Sequence, residues 1–356
     1  MKRFLASIKN RFVRYFTGTG LFKNLMRLCS KSGLLSDFWY LVSGAMRREN
    51  QAVLAGRIEH LEQLNLSRLD GAVYTLRRNT HRVEKGLIMK PRRDVFAKKY
   101  ILETVELFSA LAAQYCKEAT NKETLQWAND VLVEYFSVVA SDPVVDKARK
   151  VFESSTTGLE IGKKRPYRRD TDAPPSVSLE QLRELAIRRR SCRWFLQKPV
   201  PRELIDAAME VAGFAPSACN RQPFEFRFFD EPELVKKVAA VPMGTVGFSH
   251  NFPCVAVIVG NMSAFPFDRD RHVHYIDGSL AAMGLQFGLE TLGISSCCIN
   301  WPDIKHLEHK IAQLLGLKKY QRVIMMMAIG FPDANEQVPY SQKKPLSEIR
   351  SYNRTC

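Results

Sequence analysis

The chain has 356 residues, 46% of them hydrophobic, which is enough for two domains that each bury a core of their own. Its formal net charge of +16 would suit a nucleic-acid-binding protein if the basic residues were spread evenly. However, residues 1–170 hold 31 of the 53 Lys and Arg and 18 of the 37 Asp and Glu, so residues 171–356 are nearly balanced. We therefore expect no nucleic acid among the partners.

The cysteines and histidines show no metal-binding spacing. Eight cysteines never occur as CxxC and no HExxH is present, so we expect no metal site, and reduced thiols in the cytoplasm. Cys297 and Cys298 lie in an apolar run and are expected to be buried, whereas His272 and His274 follow a charged segment and are expected to face solvent or a partner. No apolar run approaches the ~18 residues that a membrane-spanning helix needs.

The N-terminal residues combine a basic character with a helical apolar period. Phe4, Ile8, Phe12 and Phe16 recur at a spacing of four between lysines and arginines, which predicts one apolar stripe on a basic helix. We expect this helix, residues 1–16, to pack on its own domain. The alternative is a helix that lies on an anionic membrane surface.

Residues 1–160 are predicted to form a basic, all-helical domain. The clearest helical periods are YILETVELFSALAAQYC (100–116) and LQWANDVLVEYFSVV (125–139). The segment that follows, residues 161–177, contains five basic residues and three prolines and has no apolar period. That composition is typical of an exposed linker.

Residues 178–356 are predicted to form a second domain of the α+β class. Ser178 and Gln181 have the spacing of a capping box, so a helix should begin there. Residues 224–230 alternate like a strand, and residues 254–261 and 323–331 are apolar runs of buried-strand length. Small residues recur along DGSLAAMGLQFGLETLG (277–293), which predicts a helix that another backbone approaches closely.

The common nucleotide-binding and nucleophile motifs are absent from the sequence: there is no GxxxxGK[ST], no GxGxxG and no GxSxG. Polar residues instead concentrate in four short segments of the second half. These are RRRSCRWF (188–195), APSACNRQPF (215–224), SSCCINWP (295–302) and SQKKPL (341–346). Each one alone is weak, since arginines also occur at helix ends and PSACN also reads as a turn.

Taken in this order, the four segments resemble the motifs of the nitroreductase family of flavin mononucleotide (FMN) enzymes, over residues 178–356. The resemblance implies a mixed sheet flanked by helices, a homodimer with FMN between its subunits, and a small-molecule substrate. It also implies an oxidoreductase in which NAD(P)H reduces FMN and the flavin passes electrons to an acceptor. No catalytic side chain is then needed, because the flavin N5 carries the chemistry.

The resemblance also implies a set of cofactor-binding residues. They are Arg189, Arg190, Ser191, Arg193, Pro216, Ser217, Asn220, Cys298, Ile299, Asn300 and Lys343. Arg189 and Ser191 would face the phosphate, with Lys343 as its second cation, and Arg193 would lie near the N1/C2-carbonyl edge of the ring. The turn residues would touch the flavin, and the strand residues 298–300 would lie near N5.

The helical half leaves other functions open. Residues 81–96, HRVEKGLIMKPRRDVF, are similar to a segment ahead of nitroreductase-like domains in bacterial polysaccharide-associated proteins, which implies a link to polysaccharide biosynthesis. One alternative is a non-catalytic flavin-binding scaffold or regulator whose basic half binds a phosphorylated glycan or a membrane surface. The other is a nucleic-acid-binding protein without flavin.

Overall fold

The computed structural model describes residues 20–63, 71–118, 121–155 and 159–355. The apolar stripe predicted for residues 1–16 lies outside the described residues. The chain divides into two compact units, residues 1–54 and residues 55–356. In the first unit, helices α1 (Gly20–Cys29) and α2 (Gly33–Ser43) have no buried residues, and Gly44 ends α2 with a left-handed φ of 66°. Helix α3 (Arg47–Gln63) begins in this unit and ends in the second.

Four further helices form the first part of the second unit. They are α4 (Ala72–Leu87), α5 (Ile101–Glu118), α6 (Lys122–Val138) and α7 (Pro143–Glu153). Their apolar faces meet in one core that includes the fully buried Leu76, Phe108 and Tyr135. The helices predicted over residues 100–116 and 125–139 are therefore confirmed.

Residues 159–178 contain neither helix nor strand. The segment is fixed on the helices by Asp130, because its carboxylate accepts hydrogen bonds from the backbone N–H groups of Gly162 and Lys164, both at 2.8 Å. Helix α8 (Leu179–Arg188) then begins with the predicted capping box. Ser178 Oγ accepts from the N–H of Gln181, and the Gln181 side chain accepts from the N–H of Ser178.

The rest of the unit is built on one antiparallel sheet of four strands. The strands are β1 (Phe224–Phe229), β2 (Cys254–Asn261), β3 (Ser295–Asn300) and β4 (Gln321–Gly330), in the spatial order β1-β2-β4-β3. All three strand pairs are antiparallel. The three strands predicted at residues 224–230, 254–261 and 323–331 are confirmed, and β2 is buried along almost its whole length.

Helices cover the sheet on both faces and leave two separate cores. They are α9 (Arg202–Gly213), α10 (Pro232–Ala239), α11 (Val273–Thr291) and α12 (Lys305–Leu315). The short α13 (Leu346–Ile349) follows with no buried residue. The close approach predicted from the small residues of α11 is confirmed, because Gly284 and Gly288 pack against the backbone of α9. A Cβ on Gly288 would lie 2.9 Å from Ala208 Cα, so only glycine fits without a shift of the backbone.

The helical part and the sheet part of the second unit have separate cores but touch directly. His60 Nδ1 lies 2.8 Å from the carbonyl oxygen of Ser263, and Arg57 pairs with Asp268 at 3.1 Å. Gly56 lies against the backbone of Met262 with no room for a Cβ. The predicted division into residues 1–160, 161–177 and 178–356 stays a prediction, since these contacts join the two cores within one compact unit.

Candidate functional site

The arginine-rich segment after α8 runs along the edge strand β3. Helix α8 ends at Arg188 because Arg189 leaves the helical region, with φ −58° and ψ 115°. Ser191 then forms a parallel bridge with Ser296, and the N–H of Cys192 donates to the carbonyl oxygen of Ser296 at 3.1 Å. The sequence segments at 188–195 and 295–302 are therefore neighbours in the fold.

The four guanidiniums of this segment differ in their partners. Arg188 forms an ion pair with Glu290 at 3.1 Å. Arg189 reaches only the Gln286 side chain, at 3.4 Å, and its Nε is buried without a hydrogen-bond partner among the described residues. Arg190 and Arg193 donate to backbone carbonyl oxygens at 3.4 and 3.3 Å. Three adjacent guanidiniums thus lack a carboxylate among the described residues.

This arrangement fits the phosphate of FMN. A buried donor without a partner costs free energy in a folded protein, and such groups usually await an anion, a water molecule or a ligand. Planar guanidiniums donate to phosphate oxygens in pairs. The guanidiniums of Arg189, Arg190 and Arg193 therefore suit the cofactor that the sequence resemblance implies.

Alternate residues of β3 face opposite sides of the sheet. Cys298 and Asn300 are exposed on one face, whereas Ile299 is buried on the other, at 4% exposure. Ile299 can therefore offer a ligand only its backbone groups. The expectation that Cys298 is buried is wrong, because its side chain lies on the exposed face of β3 with that of Asn300. Cys297 lies on the opposite face and is buried, and burial raises the pKa of its thiol.

The turn that begins at Ser217 has a conformation that its own side chains stabilise. The φ angles of Cys219, Asn220 and Gln222 are all close to +50°, a left-handed conformation that is uncommon for residues other than glycine. The Ser217 hydroxyl donates to the carboxylate of Asp277 at 2.7 Å and accepts from the N–H of Gln222 at 2.8 Å. Ser217 is thus occupied in holding the turn, while Pro216 is exposed beside it.

Arg77 of the helical part also holds this turn, and sequence reasoning missed it. Its Nε donates to the carbonyl oxygen of Asn220 and its Nη2 to Oε1 of Gln222, both at 2.8 Å. Its Nη1 donates to Oγ1 of Thr124 at 2.9 Å. The sequence offers no signal for this contact, because Arg77 and Asn220 are 143 residues apart and Arg77 lies in an ordinary basic helix.

Asp277 is a second residue that sequence reasoning missed. It lies on α11 at 3% exposure and accepts from the Ser217 hydroxyl and from the N–H of Ala218, at 2.7 and 3.0 Å. Burial raises the pKa of its carboxyl, and the two hydrogen bonds oppose that rise. A signal was present, since Asp277 is the only acidic residue in an apolar stretch from residue 272 to 289.

Lys343 lies apart from the other predicted residues. It belongs to the segment 335–355, whose side chains are all exposed, and none of the hydrogen bonds or ion pairs of the described residues joins its side chain to Arg189 or to the turn. The fold therefore brings together the arginine segment and β3, with the turn held by α4 and α11, and leaves Lys343 outside this group.

The charged segment before α11 also differs from expectation. His274 is fully buried, at 0% exposure, with its ring centroid 4.0 Å from that of Tyr275. Desolvation lowers the pKa of His274 to about 3. The solvent-facing role expected for His274 is wrong, because α11 begins at Val273, four residues before the predicted segment 277–293, and places this side chain against Gly260 of β2.

Within residues 20–63, 71–118, 121–155 and 159–355, no three His, Cys, Asp or Glu side chains are grouped so that they could hold a metal ion. None of the helices in those ranges has the length and apolar character needed to cross a membrane.

Comparison with known proteins matches the second half of the chain. The model of the Nitroreductase family matches residues 186–249 and 241–331. The chain is 23% identical over 194 residues to "Iodotyrosine deiodinase 1" of Pongo abelii, which covers 47% of this chain and 66% of that protein. It is 24% identical over 155 residues to a "Putative NADH dehydrogenase/NAD(P)H nitroreductase" of Archaeoglobus fulgidus, which covers 43% of this chain and 87% of that protein.

Among solved structures, an FMN-dependent nitroreductase from Clostridium difficile aligns with a TM-score of 0.41 and 22% identity, over 48% of this chain and 98% of that one. The family match spans the arginine segment, the turn and all four strands, that is, each of the elements that build the candidate site. The second half of this chain, from residue 186 to residue 331, is therefore a domain of the nitroreductase family.

Proposed function

We propose that the protein is an FMN-dependent oxidoreductase that takes electrons from NAD(P)H and passes them to a small-molecule acceptor. The observation that carries the proposal is the group of three guanidiniums without carboxylate partners, with the unpartnered Nε of Arg189 buried among them. FMN, when bound, supplies the hydride and electron chemistry. The residues of the chain bind it, orient it and adjust its charge.

The residues divide into two tasks. Arg189, Arg190 and Ser191 hold the phosphate, since each charge-assisted hydrogen bond contributes ~1.5–3 kcal/mol and a few of them retain a cofactor tightly. Arg193 places a fixed positive charge at the ring edge where reduced flavin gathers negative charge, which favours reduction. Asn220, whose side chain forms no hydrogen bond with the described residues, is left to contact the ring.

We propose that the site is completed in a homodimer. The C-terminal segment 335–355 is exposed along its length and carries large apolar side chains, among them Tyr340 at 81% and Tyr352 at 76% exposure. Helix α11 exposes Ile276 and Leu280 on one face. Contiguous exposed apolar surface marks an interface, and Lys343 of this segment would then reach the phosphate in a second copy of the chain.

The substrate is a small molecule whose identity the resemblance leaves open. The matched relatives are named iodotyrosine deiodinase and NAD(P)H nitroreductase, so an iodinated tyrosine, a nitroaromatic and a quinone are the acceptors to test first. The described cysteines are free thiols, which supports a reducing, cytoplasmic compartment. The link to polysaccharide biosynthesis stays a prediction from residues 81–96.

The first experiment measures flavin directly. The purified full chain should be yellow, and its flavin absorbance should bleach under nitrogen when NADH or NADPH is added and return when an acceptor is supplied. Arg189→Ala should lower the affinity for FMN by roughly 10- to 100-fold. Arg188→Ala is the matched control, because it removes the neighbouring guanidinium, which is exposed and already paired with the buried Glu290.

Two results would overturn the proposal. A chain that binds no added FMN is not a flavin enzyme, whatever its fold. A chain that holds FMN but transfers no electrons from NADH or NADPH to any acceptor of the panel is a flavin-binding scaffold. If Arg188→Ala and Arg189→Ala lose FMN equally, the phosphate position assigned to Arg189 is wrong.

A further inference from the structure

A cavity of about 600 Å³ lies in the helical part, where the loop that joins α4 to α5 folds back on both helices. Its volume is within the range of ~300–1,000 Å³ that small-molecule sites occupy. Five of its eleven lining residues are lysine or arginine, and none is acidic. The five are Arg82, Lys85, Arg93, Lys98 and Lys99.

Most of these positive charges have no partner. Lys98 pairs with Asp142 at 2.7 Å, and Arg82 lies over the ring of Tyr100 with its Cζ 3.6 Å from the centroid. In the described ranges of the chain, Lys85, Arg93 and Lys99 form no ion pair. Like charges gathered around one cavity repel one another, and an anion inside it would remove that cost.

The cavity is formed without a ligand, because the loop that lines it is anchored to the helices. The carbonyl oxygen of Phe96 accepts from the Tyr135 hydroxyl at 2.8 Å, and that of Asp94 accepts from the N–H of Ala140 at 2.9 Å. The Phe96 ring lies against Gly86, where a Cβ would come within 2.3 Å of it. A site that exists before binding does not have to be ordered by the ligand.

The lining also has an apolar side. Met89, Val95 and Phe96 face the same cavity as the cations, so it presents a cationic wall and an apolar wall to one occupant. Inorganic phosphate would leave the apolar wall in contact with water. A ligand with both an anionic group and a ring would cover both walls.

We propose that this cavity binds an organic phosphate with at least two negative charges, held by Lys85, Arg93 and Lys99, with its organic part against Met89 and Val95. None of these residues belongs to the candidate flavin site, so this is a second ligand site in the helical part. The proposal does not depend on the oxidoreductase function.

The test is calorimetric titration of the purified full chain with pyrophosphate, ADP and adenosine. ADP should bind more tightly than pyrophosphate, because it also covers the apolar wall, and adenosine should not bind. The variant Lys85→Gln/Arg93→Gln should bind ADP roughly 10- to 100-fold more weakly and should keep its melting temperature, since both side chains are exposed.

Two matched controls locate the effect. Lys147→Gln/Lys150→Gln removes two exposed charges from the same helical part but outside the cavity, and it should bind ADP like the original chain. Arg189→Ala should also retain ADP binding, which separates this site from the flavin phosphate.

Three outcomes would overturn the proposal. The first is that ADP and pyrophosphate do not bind. The second is that Lys147→Gln/Lys150→Gln loses affinity as much as the cavity variant, which would mean that general positive charge is responsible. The third is that the chain binds phosphatidylserine-containing vesicles through Lys85 and Arg93 but not ADP, which would make the cavity part of a membrane-binding surface.

Discussion

Arg77→Ala tests whether the helical part supports the candidate flavin site. Arg77 lies on α4, yet two of its three hydrogen bonds go to the turn that follows Ser217, at the carbonyl oxygen of Asn220 and at the side chain of Gln222. The third goes to Thr124 within the helical part. Removal of this side chain takes away the described hydrogen bonds between α4 and the turn.

The magnitude follows from these contacts. Charge-assisted hydrogen bonds contribute ~1.5–3 kcal/mol each. The lower value applies here, because Asn220 and Gln222 are half-buried and their oxygens regain contact with water, although Thr124 is buried. Three bonds that do not add fully give a loss of about 3–4 kcal/mol. The turn holds three non-glycine residues at positive φ, which cost roughly 1 kcal/mol or more each. The lost contacts are therefore as large as the strain that they help to offset, and the turn should relax.

The assay compares flavin affinity and thermal unfolding in four proteins: the original chain, Arg77→Ala, Arg77→Lys and Arg78→Ala. Arg77→Ala should lower both the FMN affinity and the melting temperature. Arg77→Lys should fall between, because one ammonium cannot replace three guanidinium donors aimed at three acceptors. Arg78 is the matched control, since it is the next residue on the same helix, is also half-buried and has no hydrogen bond to the described residues.

The reasoning is refuted if Arg77→Ala melts several degrees lower but binds FMN with unchanged affinity. In that case Arg77 would stabilise the fold only, and the turn would keep its shape through Ser217 and Asp277 alone. It is also refuted if Arg78→Ala loses as much FMN affinity as Arg77→Ala.

Three further predictions concern stability. His274→Leu should flatten the acid side of the pH–stability curve. The folded pKa of His274 is about 3 against ~6.5 in the unfolded chain, so below pH 6.5 only the unfolded state binds the extra proton, and the stability of the original chain falls by up to ~1.4 kcal/mol per pH unit. Urea unfolding of both proteins at pH 7.5, 6 and 5 measures this, and parallel pH–stability curves would contradict it. Asp277→Asn keeps an acceptor for Ser217 and removes a buried carboxylate whose folded pKa is raised. The original chain should therefore gain stability relative to the variant as pH falls toward the unfolded pKa of ~3.9. A constant difference in unfolding free energy from pH 7 down to that unfolded pKa would contradict this. Ser178→Ala removes the capping box of α8 and should increase amide exchange in that helix by the equivalent of about 1 kcal/mol, with FMN affinity unchanged; unaltered exchange would show that the cap is dispensable.

The elements that sequence predicted well are those whose signal is local. The capping box at Ser178 depends on two residues that are three positions apart. Strand β2 is a continuous apolar run, and such a run of strand length is expected to be buried. In the same way, the small residues of α11 predict close approach, although the sequence cannot say that Gly284 and Gly288 lie against α9 whereas Gly278 lies against the sheet. The start of α11 shows the limit of such local signals. The sequence does not indicate that the helix begins at Val273, and this start decides whether His274 faces solvent or the core.

The candidate site was only partly predictable, since some of its residues are cations that would contact a ligand and others only hold the turn in its conformation. The cations at 189, 190 and 193 are recognisable because arginines without acidic neighbours in an apolar sequence suggest an anion. The residues that shape the turn carry no such mark. Asp277 is visible only as a lone acid in an apolar helix, and Arg77 cannot be distinguished by sequence from Arg78, its neighbour with no such contact.

These contacts give the helical part a role that its sequence separation from the site would not suggest. Its hydrophobic core is separate from the two cores of the sheet part. Nevertheless Arg77 reaches the turn, and His60 and Arg57 reach the segment after β2. The cationic cavity lies at the far end of α4 from Ala72, near Gly86, and α4 is also the helix that carries Arg77. Helix α4 thus connects both proposed sites, so a displacement of α4 on occupancy of the cavity would reach the flavin turn, and FMN affinity measured with and without ADP tests for such an effect.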